Sequence, residues 1–188
     1  MQTSDIELAV ATTADIEQVL ELHFRYQVDS IKEEDKADGF VTTPFTKEQL
    51  TALIEQESGL FIAKQDNRVI AYVMAASWRF WSVWPMFAYM IKALPGKQYR
   101  GIDITSENSY QYGPICVDKS VRNQGVFEAI FEFALEQMSQ RFEVLITFVN
   151  KINPRSFAAH SRKARLEVLS EFEYNNNHYH EMCCLTNR

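Results

Sequence analysis

Cysteine is scarce in this 188-residue chain: Cys116, Cys183 and Cys184 are the only three. An odd number with two adjacent makes a poor disulfide framework and points to a reducing, cytoplasmic setting. Basic charge is also short. Nineteen Lys and Arg stand against 25 Asp and Glu, a net of −6. Nothing in that balance resembles the basic footprint of a nucleic-acid binder or the polybasic patch of a membrane anchor. Long apolar runs are missing too. A bilayer span takes ~20 uninterrupted residues, and the richest stretch, from Trp78 to Leu94, is broken by Arg79, Pro85 and Lys92. The first residues carry Asp5 and Glu7 without a basic-then-apolar pattern, so no secretory signal is expected.

Several phosphate and nucleophile loops are absent as well. Gly96 and Gly101 have Walker spacing, but Ile102 and Asp103 stand where Lys and Ser or Thr are needed. No Gly-x-Gly-x-x-Gly supports a dinucleotide site, and no Gly-x-Ser-x-Gly supports a hydrolase elbow. Near the end, His178, His180, Cys183 and Cys184 cluster in sequence. A strand would put His178, His180 and Cys184 on one face and Cys183 on the other. Zinc needs about four convergent ligands and no second cluster exists, so no metal is expected.

What is present suits one domain over residues 1–188: 46% hydrophobic residues, and a length that buries about 70% of the unfolded surface. Ile6 to Val10 alternates as a first strand. Thr12 or Thr13 then caps a helix whose apolar face is Ile16, Leu20, Phe24, Val28 and Ile31. A charged loop from Lys32 to Gly39 precedes a short helix capped by Thr46, packed through Leu50, Leu53 and Ile54 and ended by Gly59. Leu60 to Lys64 and Val69 to Ser77 form a hairpin around Gln65 to Arg68. Aromatics, at 13%, crowd the next stretch, where Phe80, Trp81, Trp84, Phe87 and Tyr89 fall together. That stretch either lines an apolar pocket or is a helix buried in the domain or in a homodimer contact. A loop follows from Pro95 to Ser109, then a strand from Tyr110 to Val117 bent at Gly113-Pro114.

The strongest helix carries Phe127, Ile130, Phe131, Ala134, Leu135 and Met138 at helical spacing. Glu143 to Val149 reads as a strand buried on both faces. A helix begins after Asn153-Pro154, with proline in its first turn. Leu166 to Phe172 and His178 to Leu185 close the chain as strands.

The chemistry concentrates between Gly113 and Phe127. A strand runs into a polar turn, Asp118 to Gln124, which opens the strongest helix. Unpartnered N–H groups at a helix start carry partial positive charge and form an anion site. Gly125 permits close backbone approach, and Arg122 adds a cation. The residues alone suggest a phosphate cradle, or an ordinary strand-to-helix turn.

Here the chain resembles a family. Arg122-Asn123-Gln124-Gly125-Val126-Phe127 is similar to the Arg/Gln-x-x-Gly-x-Gly/Ala loop of the GNAT N-acetyltransferase superfamily, with Phe127 replacing the last small residue. Asn153-Pro154-Arg155-Ser156, followed by Phe157 to His160, matches that family's next signature, Asn-x-x-Ser plus a later aromatic or histidine. The closing Gly-Phe is replaced by Ala164-Arg165. The resemblance implies an α/β fold with a central, mostly antiparallel twisted sheet flanked by helices. It also implies transfer of an acetyl group from acetyl-CoA to a small amine by direct attack. It places the pyrophosphate on the backbone of Arg122 to Phe127. The pantetheine would lie along Ile115, Cys116 and Val117, with Asn153 and Ser156 contributing contacts or a helix cap.

His160 stands where the family often places a thiolate-protonating tyrosine, and an imidazole can do the same or simply bond a neighbour. The catalytic candidates are His160, Glu107 and Tyr112. Glu107 precedes the central strand, where some relatives carry a base and where Tyr110, Gln111 and Tyr112 stand here. It can reach an amine through water or be a solvated loop residue. Cys116 reads as a small buried hydrophobe. Glu33, Glu34, Asp35 and Asp38 border the expected acceptor or form a solvated loop. The competing reading is a non-catalytic acyl-CoA sensor on the same fold, and behind it an interaction protein built on the aromatic stretch.

Overall fold

A computed structural model describes residues 5–27, 30, 32–33 and 43–188. Its strands are β1 (Glu7–Val10), β2 (Leu60–Gln65), β3 (Arg68–Ser77), β4 (Gln98–Tyr99), β5 (Ile102–Asp103), β6 (Ser109–Val117), β7 (Val144–Asn150), β8 (Glu167–Tyr174) and β9 (Asn177–Leu185). Its helices are α1 (Ile16–Tyr26), α2 (Lys47–Ala52), α3 (Trp78–Trp81), α4 (Pro85–Lys92), α5 (Val126–Ser139) and α6 (Pro154–Ala158). Seven strands form one sheet in the order β1-β2-β3-β6-β7-β9-β8, and β4 with β5 makes a separate ribbon. β6 and β7, joined through α5, run parallel. The pairs β1–β2, β2–β3, β7–β9 and β8–β9 run antiparallel. This is the mixed α/β, mostly antiparallel sheet with flanking helices that the resemblance implies. No helix among the described residues is long and apolar enough to cross a membrane.

The chain forms two compact units, residues 1–74 with 113–134 and residues 75–112 with 135–188. In the first unit, β2 and β3 are joined by Asp66 and Asn67, both left-handed at φ 53° and 64°. Such a two-residue turn follows the natural twist of the strands. Thr46 caps α2, accepting from the Gln49 amide while the Gln49 side chain accepts from the Thr46 amide. The left-handed residue after that helix and its π-helical extension is Ser58, at φ 48°, rather than Gly59.

α1 also departs from expectation. It ends at Tyr26, and its buried face is Ile16, Val19, Leu22, His23 and Tyr26. Phe24 is 69% exposed. Steps of four residues drift around a 3.6-residue helix, whereas alternating steps of three and four keep to one face. Val28, Ile31, Glu34, Asp35 and Asp38 lie outside the described residues.

In the second unit the aromatic stretch becomes core. Ser77 caps α3, accepting from the Phe80 amide, and Pro85 opens α4. Trp78, Trp81, Phe87 and Met90 are buried. Both buried indoles satisfy their N–H groups as they must: Trp78 Nε1 donates to Ser109 Oγ at 2.9 Å and Trp81 Nε1 to the Gln111 carbonyl at 3.0 Å. Ring contacts then run from Trp81 to Phe87, from Phe87 to Phe148, and from Phe148 to Tyr179. The expected loop from Pro95 to Ser109 contains the β4–β5 ribbon, turning at Arg100 and Gly101, φ 51° and 80°. Below it Lys97 reaches the buried Glu181 at 2.6 Å.

On α5 the buried stripe starts at Val126 and continues through Ile130, Phe131, Ala134, Leu135 and Met138. Phe127 is only half-buried and stacks on Phe131.

Trp81 is fully buried and bonded to a strand carbonyl. Trp81→Ala is expected to cost about 3–5 kcal/mol, read as a lower urea midpoint at unchanged slope. A midpoint equal to wild type would show that this cluster does not hold the unit together.

Candidate active site

In the first unit β6 bends where the sheet leaves its regular course. Gly113 sits at φ 111° before a cis Pro114. Beyond the bend Ile115 and Val117 are half-exposed and Cys116 is buried. Cys116 lies under Tyr72, and burial pushes its thiol up to about 12, against the pull of Arg122. It is a packed thiol, not a thiolate nucleophile.

Asp118 ends the strand and is 5% exposed. Its amide donates to the Ile70 carbonyl at 2.8 Å. The Tyr26 hydroxyl donates to Oδ1 at 2.7 Å, and the Ser120 hydroxyl to Oδ2 at 2.9 Å. Arg25 approaches Oδ1 at 3.2 Å and Arg68 approaches Oδ2 at 3.7 Å. Burial opposes ionisation, but these hydroxyls and cations outweigh it and hold the carboxyl below its ordinary pKa. The Tyr26 oxygen in turn accepts the Lys119 amide at 2.8 Å. Burial, with the Asp118 charge beside it, raises that phenol to about 12.

The loop that follows is therefore anchored at its start. Arg122 donates from Nε to the Val117 carbonyl at 3.3 Å and lies 5.2 Å over the Tyr26 ring. Asn123 and Gly125 are left-handed, at φ 63° and 80°. Arg122 before them is extended, at φ −65° and ψ 151°. A Cβ built on Gly125 would meet nothing within 4 Å, yet its φ strains any other residue. Gly125 is thus required by backbone conformation, and the space before it is open. The start of α5 adds a positive dipole end. This arrangement fits a pyrophosphate.

In the second unit β6 pairs with β7 from Ser109 to Gln111, against Val144 to Ile146. The Tyr112 carbonyl is then taken by side chains, Gln111 Nε2 and Thr147 Oγ1, each at 2.7 Å. Tyr112 and His160 are 1% and 5% exposed. His160 Nδ1 lies 2.8 Å from the Ser156 carbonyl. A carbonyl only accepts, so Nδ1 carries the proton and Nε2 is left as an acceptor. Nε2 lies 3.3 Å from the Tyr112 hydroxyl, which therefore donates to it. Burial lowers the His160 pKa to about 4, although the Ser156 carbonyl works the other way. Burial also raises the Tyr112 phenol well above its ordinary value. The pair is neutral at physiological pH. Asn153 caps α6 by accepting the Ser156 amide at 3.4 Å.

The sequence profile of the acetyltransferase (GNAT) family matches residues 16–164. This chain belongs to that family. Solved structures with the same fold include the ribosomal-protein-S18-alanine N-acetyltransferase of Escherichia coli, with 10% identity over 97% of this chain and 94% of that one, at TM-score 0.63. The yncA protein of Salmonella typhimurium, solved with its cofactor acetyl-CoA, has 9% identity over 96% and 94%, at TM-score 0.64. A ribosomal-protein-alanine N-acetyltransferase of Brucella melitensis has 15% identity over 95% and 99%, at TM-score 0.62. At these identities the likeness is one of fold. No curated protein matches the chain in sequence.

The family's two motifs sit on the elements described above. Arg122 to Phe127 form the loop and first turn of α5, while Asn153, Ser156 and His160 lie on α6 and its π-helical continuation, Ala159–Lys163. Within the second unit Tyr112, Ser156 and His160 come together. Glu107 does not join them. It is exposed in the turn before β6, and Ser109 alone is roughly 10 Å along the strand from Tyr112 at about 3.3 Å per residue. The lost Gly-Phe leaves Arg165 in the left-handed conformation, φ 57°, beside a buried Ala164. In the C-terminal cluster His178 is exposed, His180 stacks on Phe157 at 4.4 Å, and Cys183 and Cys184 are buried. Among the described residues no group of His, Cys, Asp and Glu is arranged to hold a metal.

The Asp118 network was not read from the sequence. The available signal was Tyr26, three and four residues beyond His23 and Leu22 on the buried face of α1. A depressed carboxylate stabilises the fold fully above its unfolded pKa, about 3.9, and loses that contribution as pH falls through its lower folded value. Asp118→Asn is therefore expected to lose about 1–3 kcal/mol at pH 7, with the gap to wild type narrowing steadily as pH falls below about 3.9. Urea unfolding along a descending pH series measures this, and a gap that does not narrow would assign the loss to shape instead of charge.

Proposed function

We propose that this chain is an acetyl-CoA-dependent N-acetyltransferase of the cytoplasm, moving an acetyl group to the primary amine of a small molecule or peptide by direct attack in a ternary complex. The observation that carries this reading is the Arg122 to Phe127 loop, with left-handed Asn123 and Gly125 and open space at Gly125, at a helix start in a chain of this family. In this reading residues 1–188 act as one catalytic domain. The loop amides and Arg122 hold the pyrophosphate, and the half-exposed backbone of Ile115 to Val117 pairs with the pantetheine. An amide there polarises the thioester carbonyl.

Protonation of the leaving thiolate is one of the two roles open to His160. A neutral imidazole with pKa about 4 and an accepting Nε2 is unsuited to that task. Its unprotonated Nε2 can instead accept a proton. As the amine attacks, the C–N bond forms, the thioester C–S bond breaks and coenzyme A leaves as its thiolate. The amine nitrogen becomes positively charged and acidic, and its proton passes to the Tyr112 oxygen while the Tyr112 hydrogen passes to His160 Nε2, which then releases it to solvent. Tyr112 is then the catalytic residue and His160 the positioning residue that receives the relayed proton. Ser156 holds the imidazole in the required tautomer. Glu107 is assigned no role.

Thiol release from acetyl-CoA across a panel of primary amines tests the activity. His160→Ala and Tyr112→Phe are each expected to lower kcat by about 10²–10⁴, with KM for acetyl-CoA changed only a few-fold. A base with pKa about 4 stays unprotonated across the working range, so kcat/KM should follow the amine's ionisation and show no histidine inflection near 6.5. A full rate for His160→Ala at every pH would remove the relay. A second reading, a non-catalytic acyl-CoA sensor, is favoured by the burial of Tyr112 and His160. It requires acetyl-CoA binding without turnover for every amine class.

A further inference from the structure

Among the described residues two arginines from distant parts of the chain meet at one carboxylate. Arg25 and Arg68 both approach Asp118, with Arg122 over the Tyr26 ring and Glu21 4.0 Å from Arg25. Asp118 does not account for both outer arginines. Its oxygens already accept the Tyr26 hydroxyl at 2.7 Å and the Ser120 hydroxyl at 2.9 Å, closer than Arg25 at 3.2 Å or Arg68 at 3.7 Å.

Each guanidinium offers five N–H donors in a fixed fork. Arg25 turns Nη1 to Asp118 and Nη2 toward Glu21, and Arg68 turns Nη2 to Ser120 and Asp118. The rest of each head faces outward from side chains 45% and 60% exposed. Both heads are held within 4.0 Å of one buried carboxylate, so they share a location and lose less freedom on meeting a ligand. Asp118 acts as an internal tether that presents two forks to solvent.

We propose that Arg25 and Arg68, with Lys119 alongside, form an oxyanion subsite beside the backbone loop, separate from the amides of Arg122 to Phe127. Its ligand is a phosphate or carboxylate, and the guanidinium forks match either bidentately. Assigning the oxyanion to the 3′-phosphate of coenzyme A rests on the function proposed above. The subsite itself does not.

Inorganic phosphate titrated into the full-length chain at low salt, followed by ³¹P line broadening, tests the subsite directly. Wild type is expected to broaden the resonance, and Arg25→Gln with Arg68→Gln to weaken binding by about tenfold or more. Arg68→Gln alone, the more exposed and more distant of the two, should give a smaller loss in the same direction. It serves if the double variant melts early. Broadening that is unchanged in both variants overturns the subsite. Titration with coenzyme A and 3′-dephospho-coenzyme A then identifies the source. A preference of about tenfold for coenzyme A, abolished by Arg68→Gln, assigns the 3′-phosphate. No such preference, together with Arg68-dependent selection of carboxylate-bearing amines over neutral ones, assigns the oxyanion to the acceptor and overturns the coenzyme assignment. Arginine-dependent phosphate binding without any coenzyme A binding upholds the subsite and overturns the proposed function alone.

Discussion

The buried carboxylate of Asp118 is the point on which the first unit's functional end depends. A charge taken out of water must be compensated or it neutralises. Here two hydroxyls and two guanidiniums supply that compensation from three parts of the chain: Tyr26 and Arg25 from α1, Arg68 from the start of β3, and Ser120 from the loop itself. The backbone takes part too, with the Asp118 amide on the Ile70 carbonyl and the Lys119 amide on the Tyr26 oxygen. One ionised group thereby fixes where β6 ends and where the loop begins. The left-handed residues Asn123 and Gly125 follow from that fixed point.

The second unit uses neutral groups for a similar purpose. Regular pairing of β6 and β7 covers Ser109 to Gln111, and the next carbonyl, that of Tyr112, is satisfied by Gln111 and Thr147 side chains. A backbone group met by side chains permits the strand to leave its neighbour without an unpaired buried oxygen. The same residue's hydroxyl is oriented by His160, whose tautomer is set by the Ser156 carbonyl. The phenolic hydrogen of a β6 residue is thus directed by α6 and its π-helical continuation. Behind them the Trp78 and Trp81 indoles clamp the opposite edge of β6 through Ser109 and the Gln111 carbonyl. The aromatic excess of the composition is spent mainly on that core and on the ring contacts leading to Tyr179.

Much of this was legible in the residues. The β2–β3 hairpin, the Thr46 cap and the buried stripe of α5 follow from local rules of turn chemistry, capping and periodicity. The Arg122 to Phe127 and Asn153 to His160 motifs sit on the elements expected to carry them. The misses have local causes as well. The α1 face was read in steps of four and drifted toward Phe24, and the helix stop was given to Gly59 although Ser58 takes the left-handed turn. The Pro95 to Ser109 loop hides a ribbon of two-residue strands, too short to show any alternation.

By itself the sequence determined the fold class and the family, because these rest on periodicity and on motifs of contiguous residues. Only the tertiary structure decided the protonation and partners of the groups in the site. His160 is neutral because it is buried, and Glu107 stands apart because three strand residues separate its turn from Tyr112. Asp118 is charged because Tyr26 and Arg25, more than 90 positions away, are folded against it. Dielectric environment and hydrogen-bond partners are properties of assembled neighbours, and no spacing along the chain encodes them.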